Sequence, residues 1–400
     1  MKNFWIFTIA WAALGGPWCD IADAEERLSN QDSAANPHHI WRADQQVLPA
    51  AQLPELSDVE FRVIKPYEFK QDGYRFLHGV ALAWHHDRLY ASFGHNRGSE
   101  NTDTEEARYR VSDDAGKTWS EVLPIDTDDQ PGLGVSHGVF HSTGDKLWAF
   151  LGAYREMRKG VHTRAYTLDE ATGKWTPEGV VVEGGFWPMT APVKMDDGNW
   201  IMPGLCVNKR TSAGVAISDG DDMTAWKLVV IPKREDVGGM WGESTIWVDG
   251  PQIINICRYG HKAEALVAVS DDYGKTWTKM QPSNLPMVTS KPCAGTLSNG
   301  QRYLIATTTA DSGNRRYPLT IAVSRPGEAQ LSKIWVIRQA QFPEGPGESH
   351  PRAALSYPYA IEHEGKLYVG YSNNGGAIMR AGNDNSAELA IIPLEQLSVE

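Results

Sequence analysis

One unit recurs six times along this chain, and it constrains the fold more than any other feature. The unit is a short strand, a Gly, Asp or Asn turn, and a second apolar strand. Its copies begin His78-Gly-Val-Ala-Leu-Ala-Trp84, His137-Gly-Val-Phe140, Ala191-Pro-Val-Lys194, Glu243-Ser-Thr-Ile-Trp247, Ala294-Gly-Thr-Leu297 and Tyr359-Ala-Ile361. The turns are Asp87-Arg88, Gly144-Asp145, Asp197-Gly198, Asp249-Gly250, Asn299-Gly300 and Glu364-Gly365, hairpin signals that favour positive φ. Tryptophans 119, 175, 226, 277 and 335 follow most copies at intervals of 51 to 58 residues. Repeats of this length with four short strands each are propeller blades, and stacking in a ring buries the sheet face that one blade leaves open. The expected fold is all-β: a six-bladed β-propeller of four-stranded antiparallel blades.

The repeat places the propeller domain at 55–400. The sixth copy lacks a terminal Trp motif, so its outer strand is expected from Phe61-Arg-Val-Ile64, closing the ring through the chain's start. Residues 1–24 read as a signal peptide: Lys2, an apolar run from Phe4 to Leu14, and a small-x-small site at Ala22-Asp-Ala24. This predicts export to a periplasm or the medium, with no membrane span. Residues 25–54, polar and weakly patterned, read as a loosely draped N-terminal extension. Fifteen Trp, 38 Gly and 23 Pro suit strands and tight turns rather than long helices. Beyond the signal only Cys206, Cys257 and Cys293 occur, too few for a disulfide framework. A net charge of −12 argues against a nucleic-acid partner.

In a propeller both ends of each inner hairpin converge on the axis. Strand starts then supply His78, His137, Glu243, Lys291 and Tyr357; strand returns supply His95, Asn96, Tyr154, Arg155, Lys209, Arg210, Arg258, Arg315 and Arg316. So many cations around one opening of an acidic protein point to an anionic ligand, a carboxylate or a sulfate, which Arg grips through a planar fork. His85-His86 falls on the turn at the far end of its hairpin and reads as solvent-exposed.

Ser112-Asp-Asp-Ala-Gly-Lys-Thr-Trp119 and Ser270-Asp-Asp-Tyr-Gly-Lys-Thr-Trp277 resemble the Asp-box, or BNR repeat, of the sialidase superfamily, and the resemblance extends from Tyr74 to Ser398. In that motif Asp and Ser hold a tight turn and Trp packs between sheets, so Asp114 and Asp272 are read as structural. The resemblance implies that Arg75, Arg258 and one of Arg315 and Arg316 form a carboxylate-gripping triad. It also implies that Tyr357 is a nucleophile activated by Glu243, and that a loop carboxylate is the general acid. Asp103 holds that place by position, with Glu100, Glu105 and Glu106 as competitors. A Tyr nucleophile suits a substrate whose own carboxylate would repel an anionic one.

The leading expectation is therefore a secreted, exo-acting, sialidase-like glycosidase releasing a terminal acidic sugar. No cofactor or metal is required on this reading, though a structural calcium ion is compatible with it. The partner is an acidic oligosaccharide or polysaccharide, and the chain is expected to act as a monomer. Two alternatives stand. His78 and His95, at opposite ends of one hairpin, could form the basic pair of a polysaccharide lyase acting on uronic acids. The propeller could also bind acidic glycan without turning it over.

Overall fold

The structure is a computed structural model and describes residues 36–126, 130–376 and 385–399. The expected signal peptide lies outside the described residues. The compact unit His38–Glu400 contains six antiparallel sheets. Blade one comprises Phe76–His85, Arg88–Asn96, Glu105–Ser112 and Leu123–Asp126; blade two comprises Leu133–Ser142, Leu147–Arg155, Lys159–Asp169 and Lys174–Val182. In blade three the innermost strand is split into Phe186–Pro188 and Val193–Lys194, both paired with Trp200–Val207, with Thr211–Asp219 and Asp222–Val230 outside. Blade four is Met240–Asp249, Gln252–Tyr259, Glu264–Ser270 and Gln281–Pro286; blade five is Cys293–Thr296, Arg302–Ala306, Leu319–Ser324 and Leu331–Arg338.

Blade six joins the two ends of the domain. Leu355–His363, Lys366–Asn373 and Ser386–Pro393 are completed by Glu60–Lys65, which pairs antiparallel with Ser386–Pro393 through Phe61↔Ala390 and Val63↔Glu388. This is the closure read from Phe61-Arg-Val-Ile64. The inner strand of blade six packs on that of blade one, so the first and last blades meet and the ring is closed.

Between blades the core is aliphatic and aromatic. Leu82, Leu89, Val139, Phe150, Phe186, Met202 and Leu389 are all buried within one cluster. Burial on this scale contributes roughly 1.5–3 kcal/mol per large side chain. Cys206, Cys257 and Cys293 are buried and free. Two hairpin turns show the left-handed pairs expected of two-residue turns: His86-Asp87 at φ 44° and 61°, and Glu364-Gly365 at 45° and 72°.

The two Ser-x-Asp turns are closed locally. Asp114 Oδ1 accepts from the Thr118 amide at 2.8 Å, and Oδ2 from the Thr118 hydroxyl at 2.7 Å. Ser112 Oγ donates to Asp114 and accepts from the Gly116 amide at 2.7 Å. Ser270, Asp272 and Thr276 repeat the pattern.

The N-terminal extension departs from the sequence reading. From His38 onward it is anchored: Ile40 and Trp41 are buried, Trp41 bridges to Leu331 and Glu55 to Val336. Two apolar side chains close together outweigh the polar composition that suggested loose draping. Among the described residues no helix is long and apolar enough to cross a membrane.

Candidate active site at the channel mouth

Four inner strands are interrupted at the same end of the ring. Pairing registers shift between His78 and Ala81, Val135 and Gly138, Met240 and Ser244, and Ser356 and Tyr359. A bulge re-aims the side chain at the irregularity, and these carry His78, His137, Glu243 and Tyr357. Glycine permits the distortion in blade one: Gly79 has φ 68°, and a Cβ there would lie 2.1 Å from the His137 ring. Blade six has no such glycine. Tyr357 itself takes φ 55°, although the following Pro358 restricts it further, so local strain is stored at this residue.

The centre of the cluster is a buried triad. Tyr357 Oη donates to Glu243 Oε1 at 2.5 Å, Arg258 Nη1 donates to the same oxygen at 2.6 Å, and Arg258 Nη1 lies 3.2 Å from Tyr357 Oη. Burial pushes the Glu243 carboxyl up, but the Arg258 charge and the two hydrogen bonds outweigh it and hold the group below its ordinary value. Burial, and then the Glu243 charge, push the Tyr357 phenol well above its own. The resting pair is a neutral phenol donating to a carboxylate. Glu243 Oε2 is buried without a protein partner.

Arg316 stands beside this triad. Its Nη2 donates to the Thr289 carbonyl at 3.1 Å and its Nη1 to Ser356 Oγ at 3.2 Å, while Arg258 Nε donates to Thr289 Oγ1 at 3.2 Å. Thr289 thus gathers both guanidiniums. Lys291 is buried and donates to the Pro358 carbonyl at 2.7 Å; burial brings it down to about 8. Trp241 is 41% exposed at the rim, with Arg258 and Arg158 over its ring at 5.3 and 5.7 Å.

The opposite wall is made of imidazoles. The His78 ring packs 3.8 Å from the Tyr357 ring and 5.9 Å from His137. Burial, followed by the nearby His137, holds His78 well below its ordinary value; burial, then Lys291, brings His137 to about 3. Both are neutral at pH 7. His137 Nδ1 lies 3.0 Å from Ser136 Oγ, which donates to the buried Glu105. Tyr154 Oη donates to the other oxygen of Glu105 at 2.7 Å. Tyr154 is fully buried, placed to support Glu105 rather than to meet a ligand.

Several sequence-based expectations place residues elsewhere. Arg75 is exposed with its guanidinium over Phe69 at 4.9 Å, just ahead of the strand Phe76–His85, so it is not brought to the mouth with His78. Gly94, rather than His95, pairs with His78; His95 pairs with Leu77 and so falls on the other sheet face. There it stacks 3.8 Å from Tyr74, and the expected His78–His95 base pair does not form. Arg315 turns back to the carbonyls of Ser312 and Asp311, which leaves Arg316 as the arginine of the mouth. Arg210 is exposed on a hairpin turn, as is Lys209. Arg155 donates to the Pro131 carbonyl at 3.1 Å.

The acid loop is also reordered. Asp103 lies against Gly132 and Gly134 of blade two. Glu106 binds Tyr74 Oη at 2.6 Å and pairs with Arg108, away from the axis. Glu100 is exposed on the loop after Arg88–Asn96; desolvation by surrounding protein raises its carboxyl, against the opposing pull of Arg316, Arg158 and Arg258, and the Glu243 charge adds to the rise. Sequence reasoning ranked Glu100 only as a competitor and gave Trp241 no role. Adjacency to the Gly242-Glu243 bulge was the available signal for Trp241.

Residues 136–369, more than half of the chain, match the family model of the BNR repeat-like domain. The chain belongs to the BNR repeat-like family. Among solved structures this BNR propeller is similar to a protein of unknown function from Dyadobacter fermentans, with 15% identity, a TM-score of 0.61, and coverage of 84% of this chain and 99% of the other. It is also similar to the Hadza microbial sialidase Hz136, at 14% identity and TM-score 0.63 over 83% and 68%. The intramolecular trans-sialidase of Ruminococcus gnavus aligns at 12% identity and TM-score 0.61 over 84% and 98%. At these identities the likeness is one of fold, the six-bladed propeller of sialidases. No curated protein matches the BNR chain in sequence.

Proposed function

We propose that this chain is a sialidase-type glycosidase that hydrolyses a terminal acidic sugar, sialic acid or a close relative, from a glycan. The observation that carries the reading is the 2.5 Å hydrogen bond from Tyr357 to Glu243, set beside two arginines in the mouth of a sialidase-type ring. The substrate carboxylate meets Arg258 and Arg316. Tyr357 Oη attacks the anomeric carbon while Glu243 takes the phenolic proton, and the bond to the leaving oxygen breaks as Glu100 protonates it. Water, deprotonated by Glu100, then releases the sugar, and Glu243 returns the proton to Tyr357. The phenol needs a base because burial and Glu243 hold it neutral at rest.

Glu100 takes the acid role in place of Asp103 because its carboxyl is raised and is electrostatically coupled to Arg316, Arg158, Arg258 and Glu243, whereas Asp103 lies against Gly132 and Gly134. Neutral His78 packs on the Tyr357 ring and holds its orientation, and exposed Trp241 offers an aromatic plate to the sugar or the group that leaves. Export of the chain, its action as a monomer and its release of the sugar from a chain end belong to the same proposal, export resting on Lys2, the apolar run from Phe4 to Leu14 and the small-x-small site at Ala22-Asp-Ala24. The test is hydrolysis of a panel of sialosides and uronate glycans, followed by absorbance in the unsaturated-uronate band. Release of free sialic acid without that chromophore supports the reading; the chromophore, or no turnover of any sialoside, contradicts it.

A further inference from the structure

At the other end of blade one's inner strand from His78, roughly 20 Å away at the usual rise of a strand, His85 closes the strand and His86 opens the turn. His85 is buried, contrary to the exposed turn read from the sequence. A turn of blade two brings Glu170 against both rings. Glu170 Oε1 lies 3.2 Å from His85 Nε2 and 2.8 Å from His86 Nδ1, and the three donor atoms fall within 4.8 Å of one another. Around a tetrahedral ion with bonds of about 2.0–2.1 Å, neighbouring donors stand roughly 3.3–3.4 Å apart. The two carboxylate–imidazole separations are therefore close to what such an ion needs, and the two imidazole nitrogens lie within 4.8 Å of each other.

Two further observations suit a metal. The second nitrogen of His85, Nδ1, lies 2.8 Å from Ser142 Oγ, the kind of outer partner that fixes the ring of a ligating histidine. The His86 ring centroid lies 4.1 Å from that of His85, and both rings approach the same carboxylate oxygen.

We propose that His85, His86 and Glu170 bind a divalent transition metal, with Zn2+ as the reference ion, and that the ion pins blade one to blade two. Two imidazoles and one carboxylate suit Zn2+, Co2+ or Ni2+, whereas Ca2+ takes six or more oxygens. The site is separate from the Tyr357 cluster and does not depend on the glycosidase reading.

The experiment uses the untagged chain, stripped with chelator and titrated by calorimetry with Zn2+ and with Ca2+, and by visible absorbance with Co2+. One equivalent of Zn2+ should bind, Co2+ should give the intense bands of a low-coordinate ion, and Tm should rise with Zn2+ concentration. Glu170→Gln, and His86→Asn, which keeps a residue tolerant of positive φ, should each weaken Zn2+ binding by at least about tenfold. Both should remove the Tm rise while circular dichroism and sialoside hydrolysis stay unchanged. Undiminished Zn2+ affinity in both variants, Ca2+ binding as tight as Zn2+, or no Zn2+ binding at all would overturn the proposal.

Discussion

In the turn from Ser270 to Trp277, both carboxylate oxygens of Asp272 are bonded to groups inside the turn. At the channel mouth Glu243 has one oxygen shared by Tyr357 and Arg258 and another that is buried with no protein partner. The turn is written almost identically in blades one and four, whereas the mouth draws on different side chains around the ring: histidine from blades one and two, Glu243 and Arg258 from blade four, Arg316 from blade five and Tyr357 from blade six. Polar groups that satisfy one another locally stabilise a repeat and can be copied from blade to blade. Buried groups left short of partners cost stability, and at the mouth His78 Nδ1, His137 Nε2 and Glu243 Oε2 are such groups. The two regions should therefore respond to substitution in opposite ways.

The largest effect is expected from Tyr357→Phe, which removes the proposed nucleophile and keeps the ring that packs on His78. Sialoside hydrolysis should fall on the order of 10⁴-fold or more with Tm little changed; near-normal turnover would put the mouth in the same structural class as the turns. Next is Glu100→Gln. It should slow glycosides with poor leaving groups by about 10²–10⁴-fold and spare activated aryl glycosides, as loss of a proton donor demands. Equal loss on both substrates would assign Glu100 to binding.

The pH profile sharpens this point. Glu243 must be ionised, and its lowered value places the acid limb below the ordinary carboxyl range. Glu100 must be protonated, and its raised value moves the alkaline limb above that range. The kcat/KM profile should be a bell whose alkaline limb disappears in Glu100→Gln. Arg316→Ala should follow with about a 10–100-fold loss in kcat/KM, the worth of a charge-assisted pair, and Arg316→Lys should restore it only in part. The smallest effect is expected at the turn. Asp272→Ala should lower Tm by about 2–4 °C, since it loses local hydrogen bonds in a large domain, and should leave kcat and KM unchanged.

The fold was legible because propeller blades repeat their hairpins and turns at nearly constant spacing. Even the closing strand from Phe61 to Ile64 could be inferred from what blade six lacked. The mouth was legible in part. Glu243, Arg258 and Tyr357 meet because each lies at the end of an inner hairpin, as the ring geometry requires. A bulge changes which residue faces the axis without altering the apolar pattern of the strand, so His95 was paired with His78 one position out of register. Arg75 was placed by resemblance alone, and it lies ahead of the strand that carries His78. Arg315 and Arg316 could not be told apart, since a loop has no alternation to assign their sides. Glu170's approach to His85 was hidden for a different reason: it joins two blades, and no repeat within one blade encodes it.

The most direct test of the central claim is to trap the sugar on the protein. The chain is incubated with a fluorinated sialosyl substrate, whose slowed second step preserves any covalent intermediate, and the adduct is mapped by peptide mass spectrometry. The account predicts one added sugar on the peptide that contains Tyr357, and none in Tyr357→Phe. An adduct on any other residue, or sialoside turnover undiminished in Tyr357→Phe, would contradict it.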